Sequence, residues 1–242
     1  MKNHLEGVIS VEGQGKKYTV AFPDCSNARG HLLKVLSGEA YVPPETGTFR
    51  PTQIIDIGAN VGAATIFFQH RYPGLPIVCY EPAQENLSYL KRNLSQIPNT
   101  EIVECGLSDR DGTERLFHGK LQCLQHSIHP SIEVDQSDFE LIRLRDAATE
   151  LPQKLIPGAL MKIDTEGCEM EILRSVAPKL KDISLIYVEY HSEQQRREID
   201  TILAPTHSLL SSNALQVHRG NVAYISNESL VAHPYIGRLE VR

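Results

Sequence analysis

The run Ile54-Ile55-Asp56-Ile57-Gly58-Ala59-Asn60-Val61-Gly62-Ala63-Ala64 decides how the rest of the chain is read. Apolar β-formers lead through a carboxylate into small residues, the pattern of a strand entering a helix by way of a glycine turn. Gly58 and Gly62 carry no Cβ, so the backbone there can take positive φ and come close to a ligand. A helix beginning near Val61 is expected to point unpaired N–H groups into the same crevice.

The spacing narrows the ligand. A dinucleotide turn reads Gly-x-Gly-x-x-Gly because a pyrophosphate lies against bare backbone. Here the order is Asp-x-Gly-x-Asn-x-Gly, with the acid first and the bulkier Asn60 inside the turn. That suits a ligand with both an ammonium and a carboxylate: Asp56 faces the first, directly or through water, and backbone N–H groups face the second. S-adenosylmethionine carries both.

The 242 residues suffice for one large α/β domain with a filled core. The net charge of -6 argues against a nucleic-acid surface, which needs a basic stripe. No apolar run approaches the ~20 residues of a membrane helix, and Met1 to Ser10 lacks a signal-peptide core. Five scattered cysteines (Cys25, Cys79, Cys105, Cys123, Cys168), never in Cys-x-x-Cys spacing, read as reduced thiols of a cytoplasmic protein.

Along the chain, residues 5–22 suggest a hairpin and His31 to Tyr41 a short helix, so that residues 1–50 form an N-terminal cover over the site. Ile77 to Glu81, Ile102 to Leu107, Ala159 to Asp164 and Ile183 to Tyr190 read as buried strands separated by helices, with Leu87, Leu90, Leu94 and Ile97 on one helical face. Residues 118–137, holding His118, His126 and His129, read as a loop, and a short strand follows at Phe139 to Leu144. Leu215 to His218 and Val222 to Ser226, joined through Arg219-Gly220-Asn221, read as a closing antiparallel hairpin. The alternation implies a doubly wound, mostly parallel sheet in a single domain over residues 51–242.

Ligands of such sheets sit at the carboxyl ends of the strands. Those ends carry Asp56, then Glu81, then Ser108-Asp109, then Asp164 and Glu166, then Glu189 and His191. Acids there are also common as helix N-caps, which is the plain alternative for Asp164 and Asp109. Glu81, about twenty residues beyond the glycine turn, suits a ribose diol. Ser108 or Asp109 suits an adenine edge. For a proton-accepting group, His191 has a suitable intrinsic pKa, with Glu189 two residues away to orient it; Asp164, with Glu166 nearby, is the alternative. Asp164, Glu166, Glu189 and His191 around a divalent cation is a reading ranked below the metal-free one.

The blocks Ile55 to Gly62, Glu81-Pro82 with Asn86, Lys162-Ile163-Asp164-Thr165-Glu166-Gly167-Cys168-Glu169, and Val188-Glu189-Tyr190-His191 together resemble the FkbM family of methyltransferases. The resemblance covers about residues 52–192, and its Lys-Ile-Asp-x-Glu-Gly-x-Glu block is the specific part. It implies a Rossmann-like, class I methyltransferase fold and S-adenosylmethionine-dependent methylation of a hydroxyl on a sugar or secondary metabolite. It carries Asp56, Gly58, Asn60 and Gly62 to the methionine end of the cofactor and Glu81 to the ribose. A nicotinamide-dependent oxidoreductase and a non-catalytic S-adenosylmethionine-binding module are the competing readings. The expected partner is a small-molecule or glycan acceptor, with neither nucleic acid nor membrane. Leu230, Val231 and Ile236 in the tail are candidates for a homodimer contact.

Overall fold

The computed structural model describes residues 5–13, 16–25, 27–44, 48–119, 126–128, 134–234 and 236. Strands β1 (Leu5–Gly13) and β2 (Lys16–Asp24) pair as a hairpin, followed by α1 (Ala28–Ser37). The glycine stretch opens the main sheet with β3 (Ile54–Ile57), α2 (Ala63–Arg71), β4 (Ile77–Tyr80), α3 (Gln84–Leu94) and β5 (Thr100–Val103). The chain then leaves for β6 (Gly106–Ser108), β7 (Gly112–Gly119), β8 (His126–Ser127) and β9 (Val134–Asp146). It returns through α4 (Ala147–Lys154), β10 (Ala159–Ile163), α5 (Glu169–Val176), β11 (Ile183–Tyr190), α6 (Glu193–Leu203), β12 (His207–Gln216), β13 (Arg219–Ser226) and α7 (Asn227–Ala232).

The main sheet has seven strands in the order β12-β13-β11-β10-β3-β4-β5. Every pairing among β11, β10, β3, β4 and β5 is parallel, and β13 and β12 are antiparallel. The central strands Ile54–Ile57 and Ile77–Tyr80 are buried at every position, as strands covered on both faces must be. Side-chain alternation assigns the faces. Ile54, Cys79, Leu160, Leu185 and Tyr187 pack in one core with α1, α2 and α3. Ile55, Ile57, Tyr80, Met161, Ile163 and Val188 pack in a second with α4, α5 and α6. Successive strands are added outward in one direction from β3 and in the other from β10, and the carboxyl ends of β3 and β10 meet at that switch.

The N-terminal hairpin shares the first core. Val20 and Phe22 of β2 and Leu32 and Val35 of α1 belong to the same cluster as Phe68 and Tyr187. Buried Asn93 on α3 fixes this join: its Oδ1 accepts from the Ala21 N–H, and its Nδ2 donates to the Ala21 and Val61 carbonyls. One amide thus ties the hairpin edge, α3 and the glycine turn together.

Several expectations are corrected. Residues 102–107 are not one strand: β5 ends at Val103, and β6 joins a separate four-stranded sheet, β6-β9-β7-β8. That sheet takes in part of the stretch read as a loop, because its strands alternate weakly. His129 and Cys123 lie outside the described residues. The closing turn is Val217-His218, with His218 at φ 65, and Arg219 and Gly220 are in β13. Gly220 serves close approach instead of a turn, since a Cβ there would lie 2.3 Å from the Asn213 carbonyl oxygen. Cys25 is disulfide-bonded, against the reading of five reduced thiols; Cys79, Cys105 and Cys168 are free and buried. In the tail, Val231 is exposed but Ile236 is buried in the first core. No described helix is long and apolar enough to cross a membrane.

Gly58 sits at φ +79, and a Cβ there would fall 1.8 Å from the Asp164 carbonyl oxygen; Gly74, at φ +82, has open space around it. Gly58→Ala is expected to lose at least about 2 kcal/mol of stability and Gly74→Ala about 1 kcal/mol. Urea unfolding of both variants checks this; equal losses would mean that the Asp164 contact is not rigid.

Candidate functional site

A cavity of about 530 Å³ opens where β3 and β10 meet. It is lined by the glycine turn, Glu81, Asn86, Gly106, Leu107 and Leu144, and also by His31, Lys34, Tyr41, Asp164, Glu166 and Arg219. Lys162 and Glu189 also reach it.

The turn is built differently from the expectation. Helix α2 begins at Ala63, with Gly62 as its left-handed N-cap. The N–H groups of Gly58 and Ala59 both donate to the Tyr80 carbonyl at 3.0 Å, and Gly62 N–H donates back to Ala59 O. Asn60, at φ 52, gives its N–H to Glu81 Oε2 at 2.8 Å and accepts the Val61 N–H on its own Oδ1. The first N–H groups open to a ligand are therefore those of Ala63 and Ala64, which line the cavity at the start of the helix. Gly62 does not line it; a Cβ there would press on Leu90 and Leu94 of α3.

Asp56 is fully buried and does not line the cavity. Its Oδ2 accepts from Thr65 Oγ1 at 2.6 Å, and its Oδ1 pairs with the Lys162 ammonium at 3.0 Å. Strand parity is the reason: Asp56 and Lys162 are direct neighbours in the β3–β10 register and share a face. Lys162 also donates to the Gly58 carbonyl at 2.8 Å and lies 3.8 Å from Asp164 Oδ2. Burial alone would lower the Lys162 pKa, but Asp56 and Asp164 hold it above the ordinary lysine value.

Glu81 does reach the cavity. Its carboxylate accepts from the N–H groups of Asn60 and Ala83 and from Asn86 Nδ2. Burial raises its pKa and those donors oppose the rise. Three donors leave a lone pair to spare on a carboxylate. Beside it, Asn86 is 2% exposed and its Oδ1 has no hydrogen-bond partner among the described residues. Ser108 is buried away from the cavity, and Asp109 is half-exposed and paired with Arg110.

The family block lines the cavity too, through Lys162, Asp164, Thr165, Glu166 and Cys168. Asp164 accepts the Tyr41 hydroxyl at 2.7 Å. Burial works to raise its pKa, but Lys162 and hydrogen bonds from Glu189 and Tyr41 hold it well below the carboxylate range. Glu189 shifts the other way, pushed up by burial and by the adjacent Asp164 charge. Arg219 bridges Glu189 at 3.0 Å and Glu166 at 2.7 Å. Glu166 adopts φ 58, an uncommon conformation for a side chain of its size, and burial raises its pKa to about 7 against the pull of Arg219. Glu169 is buried and caps the loop, accepting from the N–H groups of Thr165 and Gly167. His191 faces Glu169 and Glu189 at 3.7 and 3.6 Å and does not line the cavity. Glu166, Glu189 and His191 place ligand atoms within 4.8 Å of one another, but the Arg219 guanidinium already bonds to both acids.

Three cavity residues escaped the sequence reading. Tyr41 and His31 come from a segment without a motif. Arg219 was hidden because Arg219-Gly220-Asn221 has the composition of a turn.

Residues 56–209 match the family described as the Methyltransferase FkbM domain. Methyltransferase 1 of Beauveria bassiana (strain ARSEF 2860) is 29% identical over 144 residues, 51% of this chain and 57% of that protein. The chain thus spans less than two thirds of that relative. The 31-O-demethyl-FK506 methyltransferase FkbM of Streptomyces tacrolimicus is 22% identical over 188 residues, 65% of this chain and 72% of its own. Among solved structures, Aeropyrum pernix fibrillarin in complex with natively bound S-adenosyl-L-methionine has a TM-score of 0.52 at 14% identity. It covers 90% of this chain and 83% of that one, a likeness of fold.

Lys162→Met is expected to cost about 3 kcal/mol, because it leaves Asp56 as a buried charge without its counter-ion. Adding Asp56→Asn is expected to recover most of that loss. Urea midpoints of the two single variants and the double variant measure the coupling; an additive double variant would show that the two charges act separately.

Proposed function

The chain belongs to the FkbM methyltransferase domain family, and from that membership and the cavity we propose that it is an S-adenosylmethionine-dependent methyltransferase acting on a hydroxyl of a sugar or secondary metabolite. The observation that carries this reading is that Glu81, Asn86, Asp164 and Glu166 line one and the same cavity. The residues present fit the donor. Asn86 Oδ1 is a buried acceptor without a partner, next to a carboxylate with acceptor capacity left, which matches a ribose diol. Gly58 and Asn60 give the turn a left-handed backbone, and both line the cavity. The Ala63 and Ala64 N–H groups and the α2 dipole suit a carboxylate. Asp164, fixed as an anion, suits the positive charge of a sulfonium or an ammonium; this assigns to Asp164 the attraction expected of Asp56.

When bound, S-adenosylmethionine supplies an electrophilic methyl group. The chain's part is to align an acceptor oxygen with it and to keep water out, and positioning of this kind supplies much of such a rate. The apolar wall of Leu107, Leu116, Ile142 and Leu144 excludes water on one side of the cavity. Oxygen as the atom methylated is supported by the name of the Streptomyces relative, a 31-O-demethyl-FK506 methyltransferase.

Calorimetry with S-adenosylmethionine tests this. The wild type is expected to bind it, and Glu81→Ala to bind at least about tenfold more weakly, the loss of one charge-assisted hydrogen bond. NADH is expected to give no heat. Absence of binding by the wild type, or binding unaffected by Glu81→Ala, would count against the reading.

A further inference from the structure

Part of the cavity lining comes from outside the family-matched span: His31 and Lys34 on α1, Tyr41 after it, and Arg219 on β13. His31 is the unusual member. Its side chain is exposed, yet protein closes around it densely enough that desolvation lowers its pKa below 6.5. Both hold when the exposed surface faces the cavity, which His31 lines. Among the described residues no side-chain hydrogen bond restrains its imidazole.

The acids Asp164, Glu166 and Glu189 that also line the cavity are engaged. Asp164 is held by Tyr41 and Lys162, and Glu166 and Glu189 are held by Arg219. The charged groups that face His31 are Asp164 and Lys162 from β10 and its end, Arg219 from β13, and Lys34 from its own helix. Asp164 favours the protonated ring and the three cations oppose it.

We propose that His31 is a catalytic residue, the group that takes the proton of the acceptor hydroxyl. The proposal rests on the methyltransferase reading above. As the acceptor oxygen bonds to the methyl carbon, the carbon–sulfur bond breaks with its electron pair going to sulfur, and the hydroxyl proton passes to the free imidazole nitrogen. One positive charge disappears from sulfur and one appears on His31, so the charge in the cavity is conserved. Asp164 faces the imidazolium that forms, and water removes its proton afterwards. A neutral ring at pH 7 is the form this step needs.

The test needs no knowledge of the acceptor. S-adenosylmethionine carries a positive sulfur that S-adenosylhomocysteine lacks. The His31 ring is titrated by NMR in 15N-histidine-labelled protein, its signal assigned by its loss in H31Q. If the ring faces the transferring methyl, its midpoint lies about one pH unit lower with S-adenosylmethionine than with S-adenosylhomocysteine. Equal midpoints in the two bound states overturn the proposal. Calorimetric failure of the wild type to bind either compound would instead overturn the methyltransferase reading itself. A panel of methyl glycosides and macrolide alcohols adds a second arm. For an alcohol that the wild type methylates, H31Q is expected to lose about 10²–10⁴-fold in kcat while binding S-adenosylmethionine as the wild type does. An unchanged kcat in H31Q overturns the proposal.

Discussion

A lysine ammonium with almost no access to water sets the shape of this molecule's centre. Lys162 has to find its partners inside the protein, and it finds the Asp56 carboxylate, the Gly58 carbonyl and, slightly farther off, Asp164. Asp56 and Gly58 belong to β3 and its turn, and Lys162 and Asp164 to β10 and its end. The ammonium therefore clamps two adjacent strand ends where the topology leaves a crevice between them. The absent Cβ of Gly58 lets the Asp164 backbone lie directly against the turn. A buried pair of this kind is weak evidence for net stability. What it fixes is geometry, since an aliphatic replacement could fill the space but not hold a carbonyl in place.

Around that clamp, charge is distributed by pairing. Asp164 stays ionised because Lys162 and Tyr41 favour the anion. Glu189, next to it, cannot ionise at the same cost and shifts upward. Arg219 then reaches in from the far hairpin and joins Glu189 to Glu166. The acids that line up along the strand ends in the sequence thus divide into separate jobs. Asp56 and Glu169 are structural, Glu81 is oriented by backbone donors, and Asp164, Glu166 and Glu189 form an electrostatic wall.

The sequence exposed the sheet clearly and the site only in outline. β3, β4, β10 and β11 were legible because strands covered on both faces must be apolar without interruption, and few other structures ask for that. Glu81 was legible because its distance from the glycine turn follows from strand and helix lengths. Asp56 was misjudged in its environment: a motif gives the order of residues, and only the pairing with β10 shows that Asp56 faces α2 and a lysine. The second sheet was missed as a sheet: Phe139 to Leu144 was legible as a strand, but β8 and the start of β9 fall in the unperiodic stretch that reads as a loop. His31 and Arg219 left no local signal, since they act through contacts made far along the chain.

Asn93 and the core it helps close carry a consequence for where this protein can be divided. Sequence kinship begins at residue 56, but the side of the sheet that carries Phe68 and Tyr187 is roofed by Val20, Phe22, Leu32 and Val35. A chain trimmed to its region of ancestry would present bare aromatic and aliphatic surface where that roof had been. The boundary of shared descent and the boundary of independent folding therefore do not coincide, and the second lies well upstream of the first.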